Sequence, residues 1–219
     1  VDQVDVASYR HFLDDMLYTH DGDDRGWGPE HDLARDNIEA TFMDVGLDTY
    51  LHPFQYSAQT YYNVVGVHEG TLTPYEQFII GAHYDSVDNP GADDNGSGTA
   101  GVMEIARIAS QYDFESTIIF IAFDREEQGL IGSDAYAWEH RTDDIRGMVS
   151  MDMIAYNTGA GTCDLYGRTS SNPVKLPLAA AVEEYSNGLV PILHGAFDAS
   201  DHAPFEWYGK PACLIIEDW

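Results

Sequence analysis

The chain has 219 residues and a formal net charge of −28 at pH 7, from 38 acidic and 10 basic residues. Such a charge repels nucleic-acid phosphates and anionic lipid headgroups, which excludes nucleic acids and membrane surfaces as expected partners. There is no apolar run of about 18 residues, no signal-peptide pattern and no lipidation signal. No linker-like segment divides the sequence, so we expect a mature soluble protein folded as one domain over residues 1–219.

The two cysteines, Cys163 and Cys213, stand far apart and outside any Cys-x-x-Cys pattern. Thiolate metal ligation and dithiol redox chemistry are therefore not expected. One disulfide and two buried free thiols are both compatible with the sequence, since spacing alone does not give the distance between the two residues.

Helical spacing of apolar residues predicts two helices in the first 50 residues, the second ended by Gly46. Short apolar runs then predict strands at 63–68, 78–82, 117–123, 148–151, 163–166 and 212–216. Further helices are predicted at about 98–111, 129–141, 173–186 and 201–208. This alternation predicts a three-layer α/β/α domain with a mixed, mostly parallel central sheet, in which 63–82 forms a hairpin.

Polar residues that can bind metal follow the ends of successive predicted strands. His83 and Asp85 follow the second strand, Glu126 and Glu127 follow the third, and Asp152 follows the fourth. Ligands of open α/β sheets bind beyond the carboxyl ends of the strands. The sequence therefore indicates a metal site at this edge of the sheet.

Imidazole nitrogen and carboxylate oxygens are the ligands of catalytic zinc. His83 is the candidate nitrogen ligand, and Asp85 lies on the same side of an extended chain, where it would orient the other ring nitrogen. Asp93 opens a glycine-rich turn that lets the backbone pass close to an ion. Adjacent carboxylates such as Glu126 and Glu127 point in different directions, so one can bind metal while the other acts on water.

Two other chemistries fit the sequence less well. Gly96–Gly101 matches the G-x-G-x-x-G fingerprint of dinucleotide sites, but an acidic segment separates it from the preceding strand. A serine hydrolase needs a G-x-S-x-G elbow, and Ser86, Ser97 and Ser200 all lack one.

Five segments together resemble the zinc exopeptidases related to bacterial leucyl aminopeptidase and aminopeptidase Y, a dizinc group that includes glutamate carboxypeptidases. They are Gly81-Ala-His-Tyr-Asp-Ser86, Gly91-Ala-Asp-Asp-Asn-Gly-Ser-Gly-Thr-Ala100, Glu126-Glu-Gln-Gly-Leu130, Asp152-Met-Ile-Ala-Tyr156 and Ser200-Asp-His202. They occur in family order over nearly the whole chain. Each is weak alone, but the combination is specific.

The resemblance implies two Zn²⁺ ions. His83, Asp93 and Asp152 would bind the first, and Asp93 would bridge to a second ion held by Glu127. Glu126 would be the general base that takes a proton from the attacking water and delivers it to the leaving amine, with Asp85 supporting the site. The resemblance also implies a cis peptide bond between Asp93 and Asp94.

The family's remaining zinc ligand is a histidine in a Tyr-His-Thr type motif beyond the strand at 212–216. The sequence ends at Trp219 before this motif, so we expect a domain truncated at its C-terminus. His202 is a possible substitute, although the resemblance assigns Asp201 and His202 to the substrate pocket. Phe197 lies near a position where some members carry a tyrosine that stabilises the tetrahedral intermediate.

These observations predict a secreted, zinc-dependent aminopeptidase acting on peptides, because an acidic rim attracts a free ammonium group. A carboxypeptidase would use Arg125, Arg168 or Lys210 for the substrate carboxylate. A glutaminyl cyclase is a further alternative, although the intact Asp-Asp-Asn-Gly-Ser-Gly segment at 93–98 argues against it. A metal-binding domain that has lost catalysis is another. The oligomeric state is not predicted.

Overall fold

The computed structural model describes residues 3–18, 24–156, 159 and 161–217. Within them one mixed sheet of eight strands runs in the order β1-β2-β4-β3-β5-β8-β6-β7. The strands are β1 (Asp48–Tyr56), β2 (Gln59–His68), β3 (Thr73–His83), β4 (Ser116–Phe123), β5 (Asp144–Met151), β6 (Thr162–Tyr166), β7 (Val190–Leu193) and β8 (Ala212–Glu217).

The centre of the sheet is parallel. β3 pairs in parallel with β4 and β5, and β5 with β8, while β6 and β7 form a fourth parallel pair. The pairs β1–β2, β2–β4 and β6–β8 are antiparallel. In this register His83 lies beside Phe123, so the residues that follow β3 and β4 start at the same edge of the sheet.

In the same part of the chain, six α-helices cover the two faces of the sheet: α1 (Val6–Arg10), which continues as π-helix over His11–Leu17, α2 (Pro29–Asp44), α3 (Gly98–Ala109), α4 (Ile131–Glu139), α5 (Asn172–Tyr185) and α6 (His202–Trp207). The alternation of side chains along the strands builds two cores. Val64 and Phe120 face α2 and α3, whereas Val65 and Ile121 face α4 and α6. α5 packs on the same face as α3, because Ile215 contacts both groups of apolar residues. The predicted three-layer α/β/α class is confirmed.

The predicted hairpin over 63–82 is wrong. β2 pairs with β1 and β4, and β3 lies on the far side of β4. The hairpin of this region is β1–β2, closed by Ser57 and Ala58, both in the left-handed conformation. β1 escaped sequence analysis because it is a polar edge strand containing Pro53, and β7 because it has four residues including Pro191.

Among the described residues, no helix is long and apolar enough to cross a membrane. Cys163 and Cys213 are both buried free thiols. Cys163 pairs with Glu217 across β6 and β8, four positions along the strand from Cys213, which places the two cysteines too far apart to bridge.

Candidate metal centre

The carboxyl ends of β3, β4 and β5 bring the predicted ligands together. His83 ends β3, Asp152 follows β5, and the turn that carries Glu126 and Glu127 follows β4. His83, Glu126 and Asp152 each offer a ligand atom within 4.8 Å of the others. The residues predicted from three separate strand ends therefore meet in one cluster.

Both nitrogens of the His83 ring face hydrogen-bond acceptors. Its Nε2 lies 3.3 Å from Asp94 Oδ1, 3.5 Å from Asp152 Oδ1 and 3.9 Å from Glu126 Oε2. Its Nδ1 lies 3.1 Å from the backbone carbonyl of Asp85. The ring is buried, and the hydroxyl of Thr99 donates to the His83 carbonyl at 2.7 Å, which fixes the backbone at this point.

A backbone carbonyl can only accept, so Nδ1 carries a proton and donates it to Asp85. Nε2 faces three carboxylates, an arrangement that is repulsive without a positive charge on the ring or between the carboxylates. Burial alone would lower the pKa of His83, but Glu126 and Asp152 outweigh burial and raise it well above its usual value. A histidine anchored through Nδ1 and surrounded by carboxylates at Nε2 has the chemistry of a zinc site, so these residues fit the ion that the sequence predicts.

Asp94, and not Asp93, is the carboxylate beside His83. Asp93 Oδ1 instead accepts a hydrogen bond from the amide of Ala155 at 3.1 Å. The cis peptide bond also lies one position later than expected, between Asp94 and Asn95. Two adjacent aspartates in one glycine-rich turn made the register ambiguous, and the contacts of their carboxylates resolve it.

Asn95 and Ser97 fasten this turn to the end of β5. Asn95 Nδ2 donates to the Met151 carbonyl at 2.9 Å, and Ser97 Oγ accepts from the Ile154 amide at 3.0 Å. Gly98 allows the close approach, since a Cβ there would lie 2.4 Å from both Asn95 Oδ1 and the Met151 carbonyl. Asp94 and Asp152 are thus held in one rigid unit.

The Asp85 carboxylate positions the turn after β4. Its two oxygens accept from the amides of Glu126 at 3.2 Å and Glu127 at 3.3 Å. Asp85 was expected to orient His83 through its side chain, but the shorter contact to the ring comes from its backbone carbonyl. The Asp85 side chain therefore positions the two glutamates and its backbone positions the histidine.

The two glutamates lie in an excess of negative charge. Burial raises the pKa of Glu126, and Asp201 and Asp152 raise it further against the opposing effect of His83. Burial and Asp94 raise the pKa of Glu127 to about 7. Carboxyl groups with raised pKa values are suited to exchanging protons near neutral pH.

Arg25 was not singled out in the sequence, yet it supports the loop between His83 and Asp94. Its side chain is fully buried and donates to the carbonyls of Tyr84 at 2.8 Å, Leu17 at 3.3 Å, Gly91 at 2.8 Å and Pro90. Burial lowers its pKa to about 10, so it remains protonated at neutral pH. Only the long separation in sequence hid this residue.

Arg125 packs the same N-terminal segment against the turn after β4. Its guanidinium lies between the rings of Trp27 and Tyr61, 4.0 Å from each centroid, and donates to the Gly26 carbonyl. The side chain is fully buried. Residues 25–27 therefore contact both loops that carry the predicted ligands.

The expected substrate-binding residues separate into two groups. Phe197 lines the cavity beside the cluster, together with Met153, Leu214 and Ile216. Asp201 and His202 are fully buried at the start of α6 and do not line it, so their contact with substrate stays a prediction. Their neighbour Ser200 donates to Asp152 Oδ2 at 2.8 Å.

Two cavities meet at the turn after β4. The first has a volume of about 310 Å³ and contains His83, Asp94, Asp152, Glu126 and Glu127 in its wall. The second has a volume of about 390 Å³ and shares Glu126, Glu127 and Ala199 with the first. Within the described residues neither wall contains a lysine or an arginine.

A second group of metal-type donors lies elsewhere, where His52, Glu139 and His140 approach within 4.8 Å. His52 Nε2 is 3.1 Å from Glu139 Oε2, and His52 Nδ1 is 3.1 Å from Asn63 Nδ2. Asn63 Nδ2 also donates to the Gly132 carbonyl at 2.8 Å, and its Oδ1 accepts from the Asp124 amide at 3.0 Å. This group contributes no residue to the two cavities.

The sequence matches the model of peptidase family M28 over residues 63–219. It is 32% identical over 162 residues to leucine aminopeptidase 1 of Ajellomyces capsulatus, which covers 64% of this chain and 42% of the relative. The chain thus spans about two fifths of the length of such curated relatives.

Three solved structures are similar. LapA aminopeptidase of Legionella pneumophila has a TM-score of 0.82 at 22% identity, covering 99% of this chain and 62% of that one. Glutaminyl cyclase of Porphyromonas gingivalis has a TM-score of 0.78 at 22% identity, covering 99% of this chain and 84% of that one. The zinc aminopeptidase BSAP of Bacillus subtilis has a TM-score of 0.59 at 29% identity, covering 74% of this chain and 41% of that one. The first two likenesses establish the shared fold.

Proposed function

Because the chain belongs to peptidase family M28, we propose that it is a zinc-dependent aminopeptidase that removes N-terminal residues from peptides. One observation carries the proposal: Nε2 of the buried His83 faces three carboxylates. These groups lie in a cavity that is also lined by apolar side chains. The relatives named aminopeptidases support the assignment.

In this proposal His83, Asp94 and Asp152 would hold one Zn²⁺, and Glu127 would contribute to a second. Asp94 would take the ligand role that the sequence indicated for Asp93, since its carboxylate lies beside His83. When bound, zinc would polarise the carbonyl of the scissile peptide bond. His202 is not proposed as a ligand, because it lies outside the cavity that contains the cluster.

Glu126 is the proposed general base. It lies at the junction of the two cavities, and Asp85 fixes its amide and that of Glu127, so that the two carboxylates keep different directions. Glu126 would accept a proton from the attacking water and transfer it to the nitrogen of the leaving amine. Glu127 and Asp94 would keep their carboxylates ionised on the metal side.

The positions of the cations favour an aminopeptidase over a carboxypeptidase. The three candidates for binding a substrate carboxylate are engaged elsewhere: Arg125 between two aromatic rings, Arg168 with Asp198 and Glu206, and Lys210 with the Asp143 carbonyl. The first cavity instead has four carboxylates in its wall, those of Asp94, Glu126, Glu127 and Asp152. A free ammonium group is stabilised in such a cavity, and a carboxylate is not.

The test combines zinc content with turnover of leucyl-p-nitroanilide by the 219-residue chain, before and after chelation and zinc restoration. We expect zinc-dependent hydrolysis, loss of turnover by several orders of magnitude in Glu126→Gln with zinc retained, and no hydrolysis of the N-acetylated substrate. Asp94→Ala should lose metal, whereas Asp93→Ala should retain it.

Equal hydrolysis of the free and N-acetylated substrates would refute an aminopeptidase. Cyclisation of an N-terminal glutaminyl peptide without hydrolysis of the leucyl substrate would identify a cyclase instead. Zinc binding without turnover on any aminoacyl substrate would indicate a metal-binding domain without catalysis.

A further inference from the structure

The second cavity suggests how the proposed enzyme selects its peptides, and the inference rests on the proposed function. Glu126 and Glu127 stand between the two cavities, which share no other carboxylate among the described residues. If Glu126 transfers a proton to the leaving amine, the scissile bond lies beside Glu126, at the junction of the two cavities. The residue before this bond then lies in one cavity and the residue after it lies in the other. The second cavity is then a binding site in its own right.

The walls of the two cavities decide which residue each one receives. Leu214 and Ile216 of β8 form the wall of the first, and both are buried. The residues that line only the second cavity are the exposed Gly129, Asp198 and Trp207 and the buried Leu130. The first cavity is the more enclosed of the two and suits a single N-terminal residue, whereas the rest of a peptide must continue towards solvent. The residue after the scissile bond therefore enters the second cavity.

Trp207 is the large side chain of that cavity, and hydrogen bonds hold its ring in place. Its Nε1 donates to Asp198 Oδ1 at 3.2 Å. Arg168 Nη2 donates to both oxygens of Asp198, at 2.7 and 2.9 Å, and Arg168 Nη1 donates to Glu206. Glu206 is buried and precedes Trp207 in α6. The indole is thus fixed before a ligand arrives, which lowers the entropy cost of binding.

The charge beside the ring is balanced. Asp198 faces the cavity, but the guanidinium of Arg168 pairs with its carboxylate. About half of the Trp207 surface stays exposed. A flat apolar surface next to a neutralised carboxylate binds aromatic and large apolar side chains in preference to small or charged ones.

We propose that Trp207 forms the binding surface for the side chain that follows the scissile bond, and that it selects peptides with an aromatic or large apolar second residue. Trp207 lies in α6, three residues after Pro204, at the exposed end of a helix whose other side chains are buried. No role was assigned to this residue from sequence, because a lone tryptophan near a turn carries no pattern.

The experiment compares kcat/KM for leucyl-phenylalanine amide, leucyl-glycine amide and leucyl-lysine amide in the zinc-loaded 219-residue chain. We expect the phenylalanine substrate to exceed the glycine substrate about tenfold, about 1.4 kcal/mol at 25 °C. In Trp207→Ala this ratio should fall to within about twofold, and Trp207→Phe should restore most of it. Trp138→Ala is the matched control, since Trp138 is equally exposed but lies outside both cavities.

A ratio unchanged in Trp207→Ala overturns the inference, as does a wild-type preference for the lysine substrate over the phenylalanine substrate. Should Trp207→Ala fail to fold, Trp207→Gln gives the same reading, because it removes the apolar ring but keeps a side chain that suits an exposed helix position. Absence of hydrolysis of all three amides by the wild type would instead refute the proposed function.

Discussion

Replacing Arg25 with methionine should cost a large part of the protein's stability. Arg25 makes short hydrogen bonds to the carbonyls of Tyr84, Pro90 and Gly91, and a longer one to Leu17. A hydrogen bond from a charged donor contributes about 1.5 kcal/mol at the lower end of its range, so the three short bonds contribute about 4.5 kcal/mol. The total free energy of unfolding of a domain is about 5–15 kcal/mol.

Urea unfolding followed by circular dichroism measures this loss as a lower midpoint at an unchanged slope. Arg10→Met is the control, because the Arg10 side chain is 71% exposed and its pair with Asp14 contributes at most about 0.5 kcal/mol. Arg25→Lys should recover part of the loss, since an ammonium group offers donors without the planar arrangement. A loss below about 1 kcal/mol for Arg25→Met would show that the loop from Tyr84 to Gly91 does not depend on the guanidinium.

Three further predictions concern buried residues around the site. Gly132→Ala should destabilise the fold by about 3 kcal/mol in thermal unfolding, because the new Cβ would lie 2.2 Å from the Asp124 carbonyl and 2.3 Å from Asn63 Oδ1; an unchanged midpoint would contradict this close approach. Burial lowers the pKa of His202 to about 4, so the unfolded chain binds a proton that the folded one does not, and stability should fall by about 3 kcal/mol as the pH drops from about 6.5 to 4. His202→Leu should remove that part of the pH dependence in parallel urea titrations, and identical profiles would refute the assignment. Burial raises the pKa of Cys213 to about 12, so its thiol should resist iodoacetamide at pH 8 until urea unfolds the protein, as mass spectrometry would detect.

The interior of the sheet was predictable because its strands are short apolar runs. β4 and β8 were each placed to within a residue or so, since an inner strand buried on both faces is a nearly continuous apolar run. The edge strands β1 and β7 were missed because they contain proline and expose much of their surface. The strand order is also not encoded locally, which explains why β2 and β3 were paired wrongly.

The same limit applies to the site. His83, Glu126 and Asp152 follow strand ends, so their convergence could be predicted. The choice between Asp93 and Asp94 depends on the path of one turn, which no spacing rule resolves. Arg25 supports the site from about 60 residues away, and such contacts become visible only in three dimensions.

The side-chain amide of Asn63 determines the tautomer of His52. A 180° rotation of that amide would break its bonds to both the Gly132 carbonyl and the Asp124 amide, so its N–H group stays directed at His52 Nδ1. Nδ1 must accept this bond, and the single proton of the neutral ring remains on Nε2, where it points to Glu139. A metal would need the lone pair of that same Nε2. His52 Nδ1 is thus held as an acceptor and His83 Nδ1 as a donor, so two clusters with similar donor sets are anchored in opposite ways. Of the two histidines, only His83 can turn Nε2 to a cation once that atom has lost its proton.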